Sequence, residues 1–537
     1  MIRRFLFLSL IVTPLLFSQH TSQFRQFGNV NGITESQLHD YLSFIASDEL
    51  EGRDTPSRGL NIAAKFIATL LSRWGYDPAG DSGSYFQTID LLRTKVIPGE
   101  SNLRINDTGF TFGRDFLAGG VSSSVSARLV FVRHGYVFYD KKIDPYKGIS
   151  VSGKIIVVLG GLPQGIRYGD LRGKEKGKEY ETPATFAQKN GALGIIVVPS
   201  DLALRSWERT RKIAVDEGEK SMMAFKTGES PGIPIITLSK STAQLLFEGE
   251  RYSSLPFEDR DSLEKIPSFE FSEKKKVSFT VTTATDTLVT QNICAVLKGS
   301  DAQLKNEYVA FGAHYDHLGI GIPVNGDSIY NGADDDGSGT SALIALAEAF
   351  AKGARPKRSL LFVWHVGEEK GLWGSRYFTE HPTVPLDRII TQLNIDMIGR
   401  SNPEVDSAGT DAIFSGKKEI FVFGSNMMSS QLRVLSEDVN RSLLNLAFNY
   451  RFDDPKDPMR LFYRSDHYNY AKKGIPIIFY FDGLHEDYHK VTDEVDKIDF
   501  KKYCAVTKTV FATGLTLANL PHRPVIDHHA VTMDTAK

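Results

Sequence analysis

Three apolar runs in the second half of the chain, YVAFGAH from Tyr308, RSLLFVWHVGEE from Arg358 and IITQLNID from Ile389, each end in histidine or carboxylate side chains. Runs this short and this uniformly apolar read as strands buried on both faces. The helix-like SGTSALIALAEAFAK lies between the first and the second. Strand alternating with helix implies an α/β fold, a mostly parallel mixed sheet with helices on both faces. Such sheets collect their ligands beyond the carboxyl ends of the strands, and every charged group named here falls at such an end.

The charged ends form a chemical set. AHYDH, NGADDDGSG and GEEKG follow one another between Ala313 and Gly371, and NIDMIG and EDYHKVTDE come later. They supply five potential metal ligands, His314, Asp335, Glu369, Asp396 and His489, and one spare carboxylate, Glu368. Alone, DDDGSG reads equally well as a solvated turn capping a helix, and the glutamate pair as an exposed acidic surface. A carboxylate ending a buried strand, as Asp396 does, is costly without a partner, and three successive aspartates repel one another unless a cation lies among them. A zinc pair asks for nitrogen and oxygen donors, a bridging carboxylate and an open position for water, so these residues together read as a two-zinc hydrolase. Asp316, two residues after His314, is placed to accept that imidazole's other N–H. His365, inside a strand, reads as packed; His317 and His467 lie near the motifs as second contacts to metal or substrate.

Elsewhere the chain is less specific. Balanced charge, 63 Lys+Arg against 65 Asp+Glu, removes any broad field for nucleic acid. Residues 1–18, two arginines and an apolar run too short to span a bilayer, read as a signal peptide, so the protein is expected to be exported, periplasmic or secreted, with no integral membrane segment after signal removal. Cys294 and Cys504 are too few for a disulfide scaffold; each sits in an apolar run and reads as a buried thiol, with a mutual bridge as the other reading. Helical periodicity runs through Leu38, Leu42 and Ile45 and again through Ala63, Phe66, Ile67, Leu70 and Leu71. The link DELEGRDTPSRG reads as a surface turn, with a contribution to the site as the alternative. Between residues 126 and 266 short β-branched runs (LVFV, GKIIVVLGG, GALGIIVV, IPIITLS) mark an inserted α/β module, leaving 19–125 and 267–537 for the catalytic domain.

These motifs in this order resemble the secreted zinc aminopeptidase family that also contains glutamate carboxypeptidase, the transferrin receptor ectodomain and the glutaminyl cyclases. The resemblance includes the leader ending in ELEGR and an insert similar to the protease-associated domain. It implies two Zn2+ per chain, His314 and Asp396 on one, Glu369 and His489 on the other, Asp335 bridging, and a cis peptide between Asp335 and Asp336. It also implies Glu368 as general base and Tyr488 as a helper for the oxyanion. The expected activity is that of a two-zinc exopeptidase acting on peptide substrates, foremost an aminopeptidase. The alternatives are a carboxypeptidase, for which Arg400, Arg460 and Arg464 offer basic groups, a glutaminyl cyclase, or a non-catalytic binding ectodomain. Oligomeric state and native metal are left open.

Overall fold

The computed structural model describes residues 27–528 apart from 120, 172–173, 226–231, 254–259 and 405–412. The expected signal peptide lies outside the described residues. The chain divides into two compact units, one of residues 1–89 with 290–537 and one of residues 90–289.

The first unit begins with two capped helices. Thr34 Oγ1 accepts the Gln37 N–H at 3.1 Å to start α1 (Glu35–Ile45), and Ser57 Oγ accepts the Leu60 N–H at 3.1 Å to start α2 (Arg58–Arg73). Each cap satisfies a donor that the first helical turn leaves free. The periodic residues Leu38, Leu42, Ile45, Ala63, Ile67 and Leu71 are all buried. The sheet follows; seven of its ten strands are β1 (Thr283–Leu297), β2 (Tyr308–His314), β3 (Ser359–His365), β4 (Ile389–Ile395), β5 (Glu419–Phe423), β6 (Ala447–Asn449) and β7 (Ile477–Phe481). Across the sheet the order is β1, β3, β2, β4, β7, β5, β6. Strands β3, β2, β4 and β7 are parallel. Their neighbours β1 and β5 run antiparallel to them.

Alternation along these strands sends side chains to opposite faces. On one face Phe311 of β2 stacks on Phe362 of β3 with centroids 5.0 Å apart. Phe350 of α3 (Gly339–Lys352) packs there as well, and stacks at 4.1 Å on Phe511 of the C-terminal helix (Phe500–Asn519). That helix carries Gly514 where a Cβ would fall 2.2 Å from the Phe311 ring. On the other face Ala310, Leu361 and Val363 share a core with Phe378 of the helix Trp373–Glu380 and Tyr470 of the helix His467–Lys472. Truncating Phe311 to alanine costs about 3–5 kcal/mol, the usual penalty for a buried aromatic, readable as a lowered Tm.

Among the described residues the second unit holds two larger sheets and a two-stranded one that pairs Val137–Phe138 with Tyr180–Glu181. Leu129–Phe131, Ile155–Leu159, Gly194–Val198 and Ile235–Leu238 run parallel, flanked by the antiparallel edges Phe269–Glu270 and Phe116–Gly119. A second, antiparallel sheet joins Thr108–Thr111, Asn102–Ile105, Val277–Val281 and Ser123–Ala127. The strand from Val277, expected to open the catalytic segment, pairs with Asn102–Ile105 and Ser123–Ala127, inside residues 90–289. Local run lengths carry no trace of such long-range pairing.

Cys294 and Cys504 are both free and buried.

Candidate metal centre

His314 is the last residue of β2, at the carboxyl end of the central strand pair. Its backbone is held on both sides, the N–H by Asp336 Oδ2 at 3.1 Å and the carbonyl by Thr340 Oγ1 at 2.7 Å. Its Nδ1 lies 3.1 Å from the Asp316 carbonyl, which can only accept, so Nδ1 carries the proton and Nε2 presents a lone pair. Asp316 thus faces this N–H through its carbonyl oxygen. The Asp316 carboxylate stands 3.8 Å from Nδ1 and instead accepts the Thr55 hydroxyl at 3.0 Å and the Glu368 N–H at 3.2 Å.

The His314 Nε2 faces Asp335 Oδ1 at 3.3 Å and Asp396 Oδ1 at 3.6 Å. The other oxygen of Asp335, Oδ2, lies 3.2 Å from His489 Nε2, and that nitrogen is also 3.2 Å from Glu369 Oε2. The five residues singled out from the sequence are thus brought together, with Asp335 turned to both sides. In a tetrahedral zinc site with bonds of about 2.0–2.1 Å, donor atoms sit about 3.3 Å apart. The spacings here match the edges of such tetrahedra. The buried atoms His314 Nε2, His489 Nε2 and Asp335 Oδ2 have no hydrogen-bond partner among the described residues. Groups like these are costly to bury unless something binds them. A divalent cation on either side of Asp335 fits both the donors and the spacing.

The loop bearing Asp335 is shaped from outside. Gly332 has φ +57, and a Cβ there would fall 2.2 Å from the Asp335 carbonyl oxygen and 2.5 Å from the His317 ring. The Asp334 and Asp335 N–H groups both donate to the Asp493 carboxylate at 3.1 Å. The Asp336 carboxylate, an oxygen of which lies within 4.8 Å of donor atoms of His314 and Asp396, accepts N–H groups from His314, Gly339 and Met397 at 2.8–3.1 Å, tying β2, α3 and the end of β4 together. The Asp335–Asp336 peptide is cis. Asp396, just past β4, accepts the Ser465 hydroxyl at 2.6 Å.

Electrostatics set the carboxylates apart. Burial alone would raise Asp335, but His314 and His489 hold it well below the usual carboxylate range. Glu368 goes the other way. Desolvation, with Glu369, Asp396 and Asp466 nearby, pushes it well above that range, and His314 only partly offsets them. A pair of carboxyl groups driven apart in this way is a common mark of acid–base chemistry.

Glu368 opens on a small pocket of about 30 Å³ whose wall is formed by Leu461, Phe479, Phe481 and Leu484, with Tyr488 and Arg464 beside them. The Tyr488 ring stacks on His489 at 3.8 Å and its hydroxyl lies 3.3 Å from Arg464 Nη2. Of the three arginines expected near the site, Arg464 reaches this pocket. Arg400 is paired with Asp487 at 3.0 Å, and Arg460 lies over the Tyr463 ring.

The remaining histidines separate clearly. His317 Nδ1 sits 2.8 Å from Glu369 Oε1 and 3.9 Å from Asp335 Oδ2, so it borders the donor set. His365 is buried, 3.0 Å from the Tyr470 hydroxyl. His467 packs against Phe423, Phe462 and Phe479 rather than near substrate. Burial lowers its pKa to about 3 from 6.5. Between those values an unfolded chain binds a proton that the folded one does not, so stability falls as pH drops from 6.5 toward 3. His467→Phe is expected to flatten that acid-side decline of Tm; an unchanged pH–Tm profile would refute the assignment.

Sequence reading missed Arg53, Thr55 and Asp493. The ELEGR link is not a surface turn: Leu50, Gly52, Arg53 and Thr55 are buried against the loops that carry the site. Asp493 lay in the same EDYHKVTDE run as His489, and its spacing from that ligand was the available signal.

A mostly parallel α/β sheet here gathers nitrogen and carboxylate donors at its strand ends, an arrangement that can hold metal ions. Residues 292–514 match the description Peptidase family M28. A probable leucine aminopeptidase 2 of Aspergillus oryzae is 27% identical over 264 residues, 48% of this chain and 48% of the relative. A probable zinc metalloprotease of Pyrenophora teres f. teres is 26% identical over 290 residues, 48% of this chain and 56% of the relative. The chain spans about half the length of the curated relatives it matches. In fold it is similar to an aminopeptidase from Aneurinibacillus sp. strain AM-1, with TM-score 0.55 and 17% identity over 93% of this chain and 97% of the other. It is likewise similar to BSAP, a zinc aminopeptidase from Bacillus subtilis, with TM-score 0.50 and 16% identity over 90% and 94%. Among the described residues no helix is long and apolar enough to cross a membrane.

Proposed function

We propose that this chain is a two-zinc aminopeptidase that removes N-terminal residues from peptides. The observation that carries the reading is the convergence of His314, Asp335, Glu369, Asp396 and His489 at donor spacings of 3.2–3.6 Å, with Glu368 beside them. His314 and Asp396 would hold one metal, Glu369 and His489 the other, and Asp335 both. Bound zinc supplies a Lewis acid for the scissile carbonyl and a water acidified toward ~7. Glu368, its backbone held by Asp316, takes the proton of the attacking water and returns it to the leaving amine. The Tyr488 hydroxyl, whose own proton burial holds firmly in place, donates to the oxyanion that develops on the carbonyl. Tyr488→Phe is expected to lower kcat by about 10²-fold while leaving KM near its parent value; an unchanged kcat would remove this role.

The apolar wall of Leu461, Phe479, Phe481 and Leu484 suits an apolar side chain at the cleaved end. Arg464 on the same pocket is the observation that favours a carboxypeptidase register instead. Peptides in matched free and N-acetylated forms separate the two. An aminopeptidase cleaves the free form and leaves the blocked one intact. Equal cleavage of both, or release of residues from the C-terminus, contradicts the aminopeptidase reading, and cyclisation of N-terminal glutamine would favour the cyclase.

The unit 90–289 is read as the protease-associated domain, and residues 1–18 as a signal removed on export. Expression with the native leader is expected to yield a mature N-terminus near residue 19 in the exported fraction; retention of Met1 there would contradict the signal reading.

A further inference from the structure

The link between α1 and α2 is tied by side-chain hydrogen bonds to the loops that carry the site. Arg53, fully buried, donates from Nε to the Tyr315 carbonyl at 3.0 Å, from Nη1 to the carbonyls of Ile45 and Asn331 (the latter at 2.8 Å), and from Nη2 to the Gly332 carbonyl at 3.2 Å. Tyr315 follows His314 directly; Asn331 and Gly332 lead into Asp335. One planar guanidinium thus spans the two loops that present the His314 and Asp335 donors. Thr55, also fully buried, completes the connection: its hydroxyl donates to Asp316 Oδ2, and Asp316 Oδ1 accepts the Glu368 N–H. Gly52, at φ +65, lets the link come this close, since a Cβ there would meet the Tyr330 and Gly319 carbonyl oxygens at 2.5 and 2.7 Å.

We propose that Arg53 and Thr55 are positioning residues of the metal centre. Arg53 sets the distance between the His314 and Asp335 loops, and Thr55, through Asp316, sets the placement of Glu368. The inference rests on reading the centre as a zinc site. A lysine cannot do the work of Arg53, because a single ammonium cannot present a rigid fork of donors to separate loops. The charge is also suited to its place: burial lowers Arg53 to about 10, and the nearby carboxylates of Asp316, Asp336, Asp335 and Asp493 oppose that fall and keep it cationic.

The two roles predict different defects. With the full chain, Arg53→Lys is expected to keep its circular dichroism spectrum yet bind zinc roughly 10–100-fold more weakly in chelator competition, as loss of an outer support of a metal site does. The visible absorption of the Co2+-substituted protein is expected to shift in the same variant. Thr55→Val is expected to keep zinc affinity within about threefold and lose about tenfold in kcat at constant KM, with Thr55→Ser restoring it. Parent zinc affinity and an unshifted Co2+ spectrum in folded Arg53→Lys would overturn the role of Arg53. Parent kcat in Thr55→Val would overturn that of Thr55. If Arg53→Lys fails to fold, Arg53→Gln under the same competition decides. A parent protein that binds no zinc refutes the metal reading itself, an outcome distinct from either.

Discussion

Glu368→Gln is expected to retain its metal and lose turnover by about 10²–10⁴-fold, the range that a positioned general base contributes. The amide has the shape of the carboxyl group and keeps the backbone bond from Glu368 N–H to Asp316. What it lacks is a site for the proton of the attacking water. Because Glu368 stands outside the set of facing donors formed by His314, Asp335, Glu369, Asp396 and His489, its loss falls on kcat rather than on zinc content. Metal analysis and steady-state kinetics on the same preparation separate the two quantities. A variant that holds zinc and cleaves at the parent rate would mean that the proton is handled elsewhere.

Asp335→Asn is expected to have the opposite signature. Oδ1 faces His314 and Oδ2 faces His489, so an amide turns an N–H toward one of them whichever way it is oriented. One side then loses its anionic donor, and the pair cannot both be bound. Zinc content is expected to fall from two per chain to one or none, and activity with it. The neighbour provides the control. Asp336, whose carboxylate is occupied by backbone N–H groups, is expected on substitution by Asn to lower Tm through the lost backbone ties, with a smaller effect on zinc stoichiometry. Two zinc ions at parent affinity in Asp335→Asn would exclude the bridging role.

The parts of this molecule that were legible in the sequence are those whose causes are local. Strands β2, β3 and β4 could be read because β-branched and aromatic runs of seven residues fit a doubly buried strand and little else. The donors could be read because charge at the end of such a strand needs a partner. Arg53 could not. An arginine in a polar, glycine-bearing link looks the same whether it meets solvent or four carbonyls from three segments, and only the tertiary arrangement distinguishes them. Long-range pairing was hidden for a related reason: Val277–Val281 pairs with Asn102–Ile105 and Ser123–Ala127 across more than a hundred residues of chain, and pairing partners leave no mark on composition. Asp316 could be read as the imidazole's partner from its spacing, but not which oxygen serves: the backbone carbonyl lies nearer the imidazole, and the carboxylate is taken by Thr55 and Glu368.

The central claim is that Asp335 lies between two bound cations. Anomalous diffraction at the zinc absorption edge, on crystals of zinc-loaded protein, tests it directly. The account predicts two peaks roughly 3.5 Å apart, one against His314 and Asp396, the other against Glu369 and His489, with an Asp335 oxygen on each. A single peak, or peaks away from Asp335, would contradict it.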